Sequence, residues 1–221
     1  LTRPDVIEAM HRAFLDAGVD AIETASFGSF STVLAEYNIS DQAYELNVAA
    51  ASIARRVADS YESDGRPRYV AGSIGPGTKL PSLGHTTYEN LKIAYYTAAK
   101  GLADSGCDAL LVETSQDLLQ VKAAVNGFRQ AISETDLDIV LIAQVTVETT
   151  GTMLLGSEIG AALNTLEPMG IDLIGLNCAT GPTEMSEHLR YLSKNSKVAI
   201  SVMPNAGLPV LGANGASYPL G

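Results

Sequence analysis

The chain has 221 residues, of which 46% are hydrophobic and 18% are charged, and its formal net charge is −11. This composition suits one well-packed domain and excludes a small disulfide-stapled protein. The negative charge argues against a surface that binds nucleic acid or an anionic membrane. No stretch reaches the roughly 20 apolar residues of a membrane span. Cys107 and Cys178 lie far apart in sequence, so we expect no disulfide and a reducing, cytoplasmic location.

Helices and apolar strands alternate along the chain. The spacing of apolar residues predicts helices, which cover 4–17, 41–61, 86–104, 117–132, 158–169 and 184–195. Short apolar runs predict strands over 69–74, 107–114, 139–147, 171–176 and 198–202, and a first short strand leads into a polar loop over 19–28. The last residues, 208–221, resemble a loop, and the chain does not begin with Met. We therefore expect residues 1–221 to be a single domain within a longer multidomain chain.

One pattern occurs three times: a helix, a glycine, one residue, an aspartate, an apolar strand and a polar end. It is found at Gly18-Val19-Asp20, Gly106-Cys107-Asp108 and Gly170-Ile171-Asp172. The glycine suits the left-handed residue that ends a helix, and successive units of this kind are typical of parallel α/β folds. A (β/α)8 TIM barrel takes about 250 residues, so six units predict such a barrel without its first and last strands. The alternative is a doubly wound sheet, although the first strand is not followed by a glycine-rich phosphate loop.

The carboxyl ends of parallel strands share one mouth, where such folds place their chemistry. Here the strand ends supply carboxylates, amides and one thiol, and Lys79 is almost the only positive charge. This set of mainly acidic and neutral groups favours a substrate that carries an amine over one that is a bare phosphate.

Cys178 stands at a strand end, in Gly175-Leu176-Asn177-Cys178-Ala179-Thr180-Gly181-Pro182. A nucleophilic cysteine needs a histidine base, and the sequence places none beside it. A zinc thiolate needs further Cys or His ligands, and Cys107 falls at the opposite end of its strand. These residues alone are equally consistent with a Cys178 that is only a small buried side chain without a chemical role.

Three other residues at strand ends are candidates for ligand contacts. Glu113 ends an apolar run and would be costly to bury alone, so it either forms a salt bridge or faces a ligand's ammonium. Asn205 is a turn residue or a polar ligand. Glu23, at the matching position of the first unit, is expected to be structural.

Several motifs resemble those of the homocysteine S-methyltransferase family, and in particular its cobalamin-dependent branch, which makes methionine. They are Gly175-Leu176-Asn177-Cys178-Ala179, Val112-Glu113-Thr114, Gly72-Ser73-Ile74-Gly75-Pro76 and Pro204-Asn205-Ala206-Gly207-Leu208-Pro209. The resemblance covers nearly the whole chain, in the family's order.

The resemblance implies a (β/α)8 barrel that binds homocysteine at a zinc ion held by three cysteines. Cys178 would be the catalytic zinc ligand in this chain, with the other two cysteines expected beyond Gly221. Glu113 would bind the substrate's amino group, with Asn177, Asn205 and Thr24 also contacting substrate. The family's usual Glu-Thr-Asn-Thr-Phe reads Glu-Thr-Ala-Ser-Phe here, over 23–27, which changes the polar contacts around Thr24.

The resemblance also implies partners and cofactors. The methyl donor would be methylcobalamin on a cobalamin-binding module, regenerated from 5-methyltetrahydrofolate on a folate-binding module. The alternatives are S-methylmethionine or betaine as donor, an inactive truncated domain, or a lyase that uses carboxylates.

Overall fold

The computed structural model describes residues 2–62, 65–208, 210–212 and 215–218. Its main sheet has six parallel strands that pair in sequence order. They are β1 (Ala21–Glu23), β2 (Tyr69–Ile74), β3 (Ala109–Ser115), β4 (Val140–Val145), β5 (Leu173–Asn177) and β6 (Ala199–Met203).

The strand order identifies the type of α/β fold. A doubly wound sheet reverses its order at a switch point, whereas this order runs from β1 to β6 without reversal. Residues 21–23 of β1 and Met203 of β6, on the two edge strands, line one cavity, so the sheet curls until its edges approach each other. The predicted incomplete (β/α)8 barrel is therefore confirmed, and the doubly wound alternative is wrong.

The predicted helices are present, with ends that differ by a few residues. They are α1 (Pro4–Asp16), α3 (Ala43–Asp59), α4 (Tyr88–Ala103), α5 (Leu118–Ser133), α6 (Ile159–Leu166) and α7 (Pro182–Asn195), and the short α2 (Ser31–Leu34) was not anticipated. Small residues let three of them pack closely. A Cβ at Gly101 would lie 2.6 Å from the carbonyl oxygen of Tyr44, and one at Gly127 would lie 2.7 Å from that of Lys92. The α3–α4 and α4–α5 interfaces therefore depend on these glycines.

Two of the three repeated aspartates bind the backbone of the preceding strand. The carboxylate of Asp108 accepts from the Val70 N–H at 2.7 Å, and that of Asp172 accepts from the Leu141 N–H at 2.8 Å. Asp108 and Asp172 thus each satisfy a backbone donor at the amino-terminal end of the preceding strand, whereas the carboxylate of Asp20 accepts from Arg66. The recurrence of the pattern at 106–108 and 170–172 follows from this shared task.

Strand β6 is much more exposed than its neighbour. On the face turned toward the helices, Ile174 and Leu176 of β5 are 0% and 1% exposed, whereas Ile200 and Val202 of β6 are 37% and 43% exposed. The edge of the sheet at β6 therefore presents apolar surface.

After β6, an antiparallel hairpin is formed by β7 (Val210–Gly212) and β8 (Gly215–Ser217). The expectation of a loop over 208–221 is wrong for these residues, and 209, 213, 214 and 219–221 lie outside the described residues. Among the helices in the described part of the chain, none has the length and apolarity needed to cross a membrane.

Candidate functional site

Two strand ends adopt a rare backbone conformation. Thr114 has φ +55° at the end of β3, and Cys178 and Ala179 have φ +58° and +56° after β5. A positive φ is unfavourable for residues other than glycine, and more so for a β-branched one. The turn brings the Thr114 hydroxyl within 3.8 Å of the Cys178 sulfur. Such strain is concentrated at functional sites, so these two ends mark the candidate site.

Asn177 connects the two strand ends from a buried position. Its Oδ1 accepts from the Thr114 N–H at 2.8 Å. Its Nδ2 lies 2.9 Å from Glu113 Oε2, 2.8 Å from Thr114 Oγ1 and 3.4 Å from Cys178 Sγ. An amide nitrogen has two hydrogens, so the two oxygen contacts use both and the longer sulfur contact is secondary. The amide therefore serves mainly to orient protein groups.

The carboxylate of Glu113 accepts hydrogen bonds from uncharged groups alone among the described residues. It is 7% exposed, and its oxygens accept from the Ser73 hydroxyl and from Asn177 Nδ2. Among the described residues no basic side chain pairs with it, so the salt-bridge alternative from the sequence is not what the structure contains. A buried carboxylate without a counter-charge is costly, and a cationic ligand would offset that cost.

Thr24 is buried between β1 and β2. Its Oγ1 accepts from the Ser73 N–H at 3.0 Å and also contacts the Ser26 hydroxyl. The Ser26 hydroxyl in turn donates to the Ser73 carbonyl at 2.8 Å. The Thr24 hydroxyl is thus engaged within the protein, where it fixes the end of β1 against β2.

Glu23 lines a cavity of about 380 Å³, together with Thr24, Met203 and residues of α1. Burial, and next the charge of Glu113, raise the pKa of its carboxyl from 4.5 to about 7. We expected a structural role for this residue, whereas the structure exposes its carboxyl to the charge of Glu113. The alternation of side chains along β1 could have indicated this position in the sequence. Ile22 is buried against the helices, so its neighbour Glu23 must face the opposite side of the sheet.

Asn205 lies next to the loop that carries Cys178. Its N–H donates to the Thr180 carbonyl at 3.1 Å. A Cβ at Gly181 would lie 2.9 Å from the Cα of Gly207, so the two loops are in close contact. The structure therefore brings Asn205 to the same end of the sheet as Cys178.

Comparison with known proteins gives the family. The model of the homocysteine S-methyltransferase family matches residues 1–221. This chain belongs to that family.

Two curated relatives are methionine synthases. The chain is 61% identical over 219 residues to that of Mycobacterium tuberculosis and 59% identical to that of Mycobacterium leprae. In both cases the match covers 99% of this chain and 18% of the relative. The resemblance inferred from the motifs is confirmed, and the chain spans about a fifth of these relatives' length.

Solved structures of a bacterial homocysteine methyltransferase share the fold. The homocysteine methyltransferase MmuM from Escherichia coli, in its oxidised form, superposes with a TM-score of 0.78 at 20% identity, covering 91% of this chain and 71% of that one. Its apo form gives a TM-score of 0.73 at 19% identity, covering 92% and 73%. At this identity the likeness supports the barrel fold.

The zinc ion that the family implies is only partly matched by the described residues. Cys178 is a free, half-exposed cysteine at the site, and a thiolate is a suitable zinc donor. A structural or catalytic zinc takes three or four protein ligands, yet the described residues contain no group of three His, Cys, Asp or Glu that could hold a metal. The type of donor therefore fits, whereas the number of donors does not.

A histidine base for Cys178 is also missing from the described residues. Nδ1 of His85 accepts from the Leu80 N–H at 3.4 Å in the loop after β2, and His11 and His188 lie on helices. The sulfur of Cys178 contacts Thr114 and Asn177. These contacts give no support to a cysteine–histidine nucleophile.

Proposed function

We propose that this chain is the homocysteine-binding domain of a methionine synthase, and that it presents homocysteine as the methyl acceptor. The family supports the substrate class, and the two mycobacterial relatives support the parent enzyme. The observation that carries the proposal is the connection from Glu113 through Asn177 to Cys178. It links a buried, uncompensated carboxylate at the end of β3 to a thiol at the end of β5, as a ligand with an amine at one end and a sulfur at the other requires.

The amine end of homocysteine would bind Glu113. Ser73 and Asn177 hold its carboxylate in place, so an ammonium meets a fixed acceptor rather than a mobile one. Charge-assisted hydrogen bonds of this kind are about twice as strong as neutral ones. Thr24 and Asn177 position groups that contact substrate, and Asn205 closes the site beside Cys178.

The sulfur end would lie at Cys178. We propose Cys178 as one ligand of a zinc ion, with two further cysteines supplied by chain that follows Gly221. When bound, zinc would supply the positive charge that keeps the homocysteine sulfur deprotonated at neutral pH. The left-handed backbone at Cys178 and the contact with Thr114 fix the direction of the thiol.

The remaining strands and modules are also part of the proposal. The exposed apolar face of β6, at Ile200 and Val202, is suited to being covered by further elements of the same barrel.

The relatives are several times longer than this chain, which leaves room for cobalamin-binding and folate-binding modules. The donor is then methylcobalamin, with 5-methyltetrahydrofolate as its source. Two free cysteines suit the reducing cytoplasm.

A carboxylate-dependent lyase is less well supported. A Schiff-base lyase needs a desolvated lysine, whereas Lys79 is half exposed and lies 3.9 Å from Glu36. The described strand ends offer no other lysine at this site.

Methionine formation by the full-length protein tests the proposal. Homocysteine would be supplied with methylcobalamin, S-methylmethionine or betaine in separate reactions, and methionine would be measured by mass spectrometry. We expect product with methylcobalamin, and at least a tenfold lower kcat/KM for Glu113→Gln, because a charge-assisted contact is lost. Product from betaine or S-methylmethionine alone would reassign the donor. Absence of product with every donor would reject the function.

A further inference from the structure

Glu23 faces the same side of the sheet as Glu113. Its neighbour Ile22 is 4% exposed and packs toward the helices, so alternation along β1 turns Glu23 to the inner face. Glu23 pairs in register with Ala71 of β2. Ser73, two residues further along the same face, donates to Glu113. Glu23 and Glu113 therefore face the same side of the sheet, from the two strands that flank β2.

Within the described residues, the Glu23 carboxyl has no hydrogen-bond or salt-bridge partner. It is partly buried in the cavity wall, and the charge of Glu113 adds to burial in raising its pKa to about 7. The two carboxylates repel each other, and among the described residues neither forms a salt bridge with a cationic side chain. Perturbed pairs of this kind are frequent at ligand-binding sites.

A third acceptor lies on the same inner face. Gln144 is fully buried on β4, between the strands that carry Glu113 and Asn177. Its Nε2 donates to the Ser201 hydroxyl at 2.7 Å, and its Oε1 has no partner among the described residues. A buried carbonyl left without a donor costs free energy. The inner face thus offers acceptors in excess of donors, which suits a ligand group with several N–H bonds.

We propose that Glu23 is a second binding residue for the substrate's ammonium group, shared with Glu113, and that it sets the preference for amino thiols over thiols without an amine. A primary ammonium has three donors and one positive charge, so it can satisfy two carboxylates and relieve their repulsion. This inference rests on the proposed function, in which Glu113 is the only carboxylate that binds the amine.

The test compares two ligands that differ in the ammonium alone. Homocysteine and 4-mercaptobutanoate share the thiol and the carboxylate, so contributions from the sulfur end cancel in the ratio of their dissociation constants. The full-length protein would be titrated with each ligand by calorimetry, as wild type, Glu23→Gln and Glu45→Gln. Glu45 lies exposed on α3 and controls for the same change in net charge away from the site.

We expect Glu23→Gln to weaken homocysteine about tenfold and 4-mercaptobutanoate less than about twofold, as for the loss of one charged hydrogen bond. Glu45→Gln should leave both affinities within about twofold. Equal weakening of both ligands, or no weakening, would overturn the inference. If Glu23→Gln does not fold, Glu23→Ala removes the same carboxylate and is judged in the same way. Failure of the wild type to bind homocysteine would instead reject the proposed function.

Discussion

Asn177 on β5 donates a hydrogen bond to Glu113 on β3, with 2.9 Å between Nδ2 and Oε2, although β4 lies between the two strands. The same side chain accepts from the Thr114 N–H at 2.8 Å. One amide therefore fixes both the carboxylate and the strained end of β3. Asn177 also precedes Cys178 in the chain, so the same residue positions Glu113 at the amine end of the site and Cys178 at the sulfur end.

Loss of this support should destabilise the protein. Asn177→Ala would leave a buried carboxylate oxygen and a backbone N–H without their partner, at about 1–3 kcal/mol for each unsatisfied group. Asn164 is an exposed residue of α6, and Asn164→Ala should stay within about 0.5 kcal/mol. Urea unfolding gives both free energies. Equal values for the two variants would contradict the role assigned to Asn177.

The raised pKa of Glu23 predicts how stability depends on pH. Because the folded state binds its proton more tightly than the unfolded state, this group stabilises the protein below its ordinary pKa of 4.5, and that contribution is lost as the pH rises through about 7. Glu23→Gln cannot ionise, so it should be more stable than wild type at pH 8 and gain less at pH 5.

The measurement for Glu23 is the difference in free energy of unfolding between variant and wild type at several pH values. Burial lowers the pKa of His11, which works in the opposite direction, but that contribution is common to both proteins and cancels. A difference that does not change with pH would show that the carboxyl is not perturbed.

Close packing of β5 against β6 should not tolerate a side chain at Gly175. A Cβ there would lie 2.1 Å from the carbonyl oxygen of Ser201, so Gly175→Ala must displace β6 and should cost about 1–3 kcal/mol. Gly28→Ala is the control, because its Cβ would meet Val33 at an ordinary 3.6 Å. Urea unfolding compares the two variants, and similar stabilities would rule out the tight contact.

The two cysteines should differ in reactivity. Burial raises the pKa of the Cys107 thiol to about 12, whereas Cys178 is partly exposed at the strand end. After treatment with a chelator, iodoacetamide should label Cys178 well before Cys107, because the thiolate is the reactive form. Peptide mapping by mass spectrometry gives both rates. Labelling of Cys107 at the same rate or faster would contradict the burial assigned to it.

Much of the fold could be predicted from sequence because it depends on local patterns. The apolar run of β2 was assigned with its observed ends, Tyr69 and Ile74. The glycine–aspartate repeat marked the start of successive units, since Asp108 and Asp172 perform the same backbone task. The short β1 was harder to delimit, because only Ala21–Glu23 pair with β2.

The contacts of the site could be predicted only in part. Sequence placed Glu113, Asn177 and Cys178 at strand ends, but the hydrogen bond across β4 depends on the three-dimensional register of β3 and β5. The effect of the Glu113 charge on Glu23 was missed for the same reason, since 90 residues separate the two in sequence. The hairpin at β7 and β8 was missed because its short strands carry little apolar pattern.

Zinc and homocysteine binding by the full-length Cys178→Ala variant tests the central claim most directly. Metal analysis and calorimetry would be carried out on the variant and on wild type, with Cys107→Ala as the matched control. The account predicts that Cys107→Ala retains both zinc and homocysteine, whereas Cys178→Ala loses zinc and binds homocysteine at least about a hundredfold more weakly, as for loss of a metal ligand. Retention of zinc and of wild-type homocysteine affinity by Cys178→Ala would contradict it.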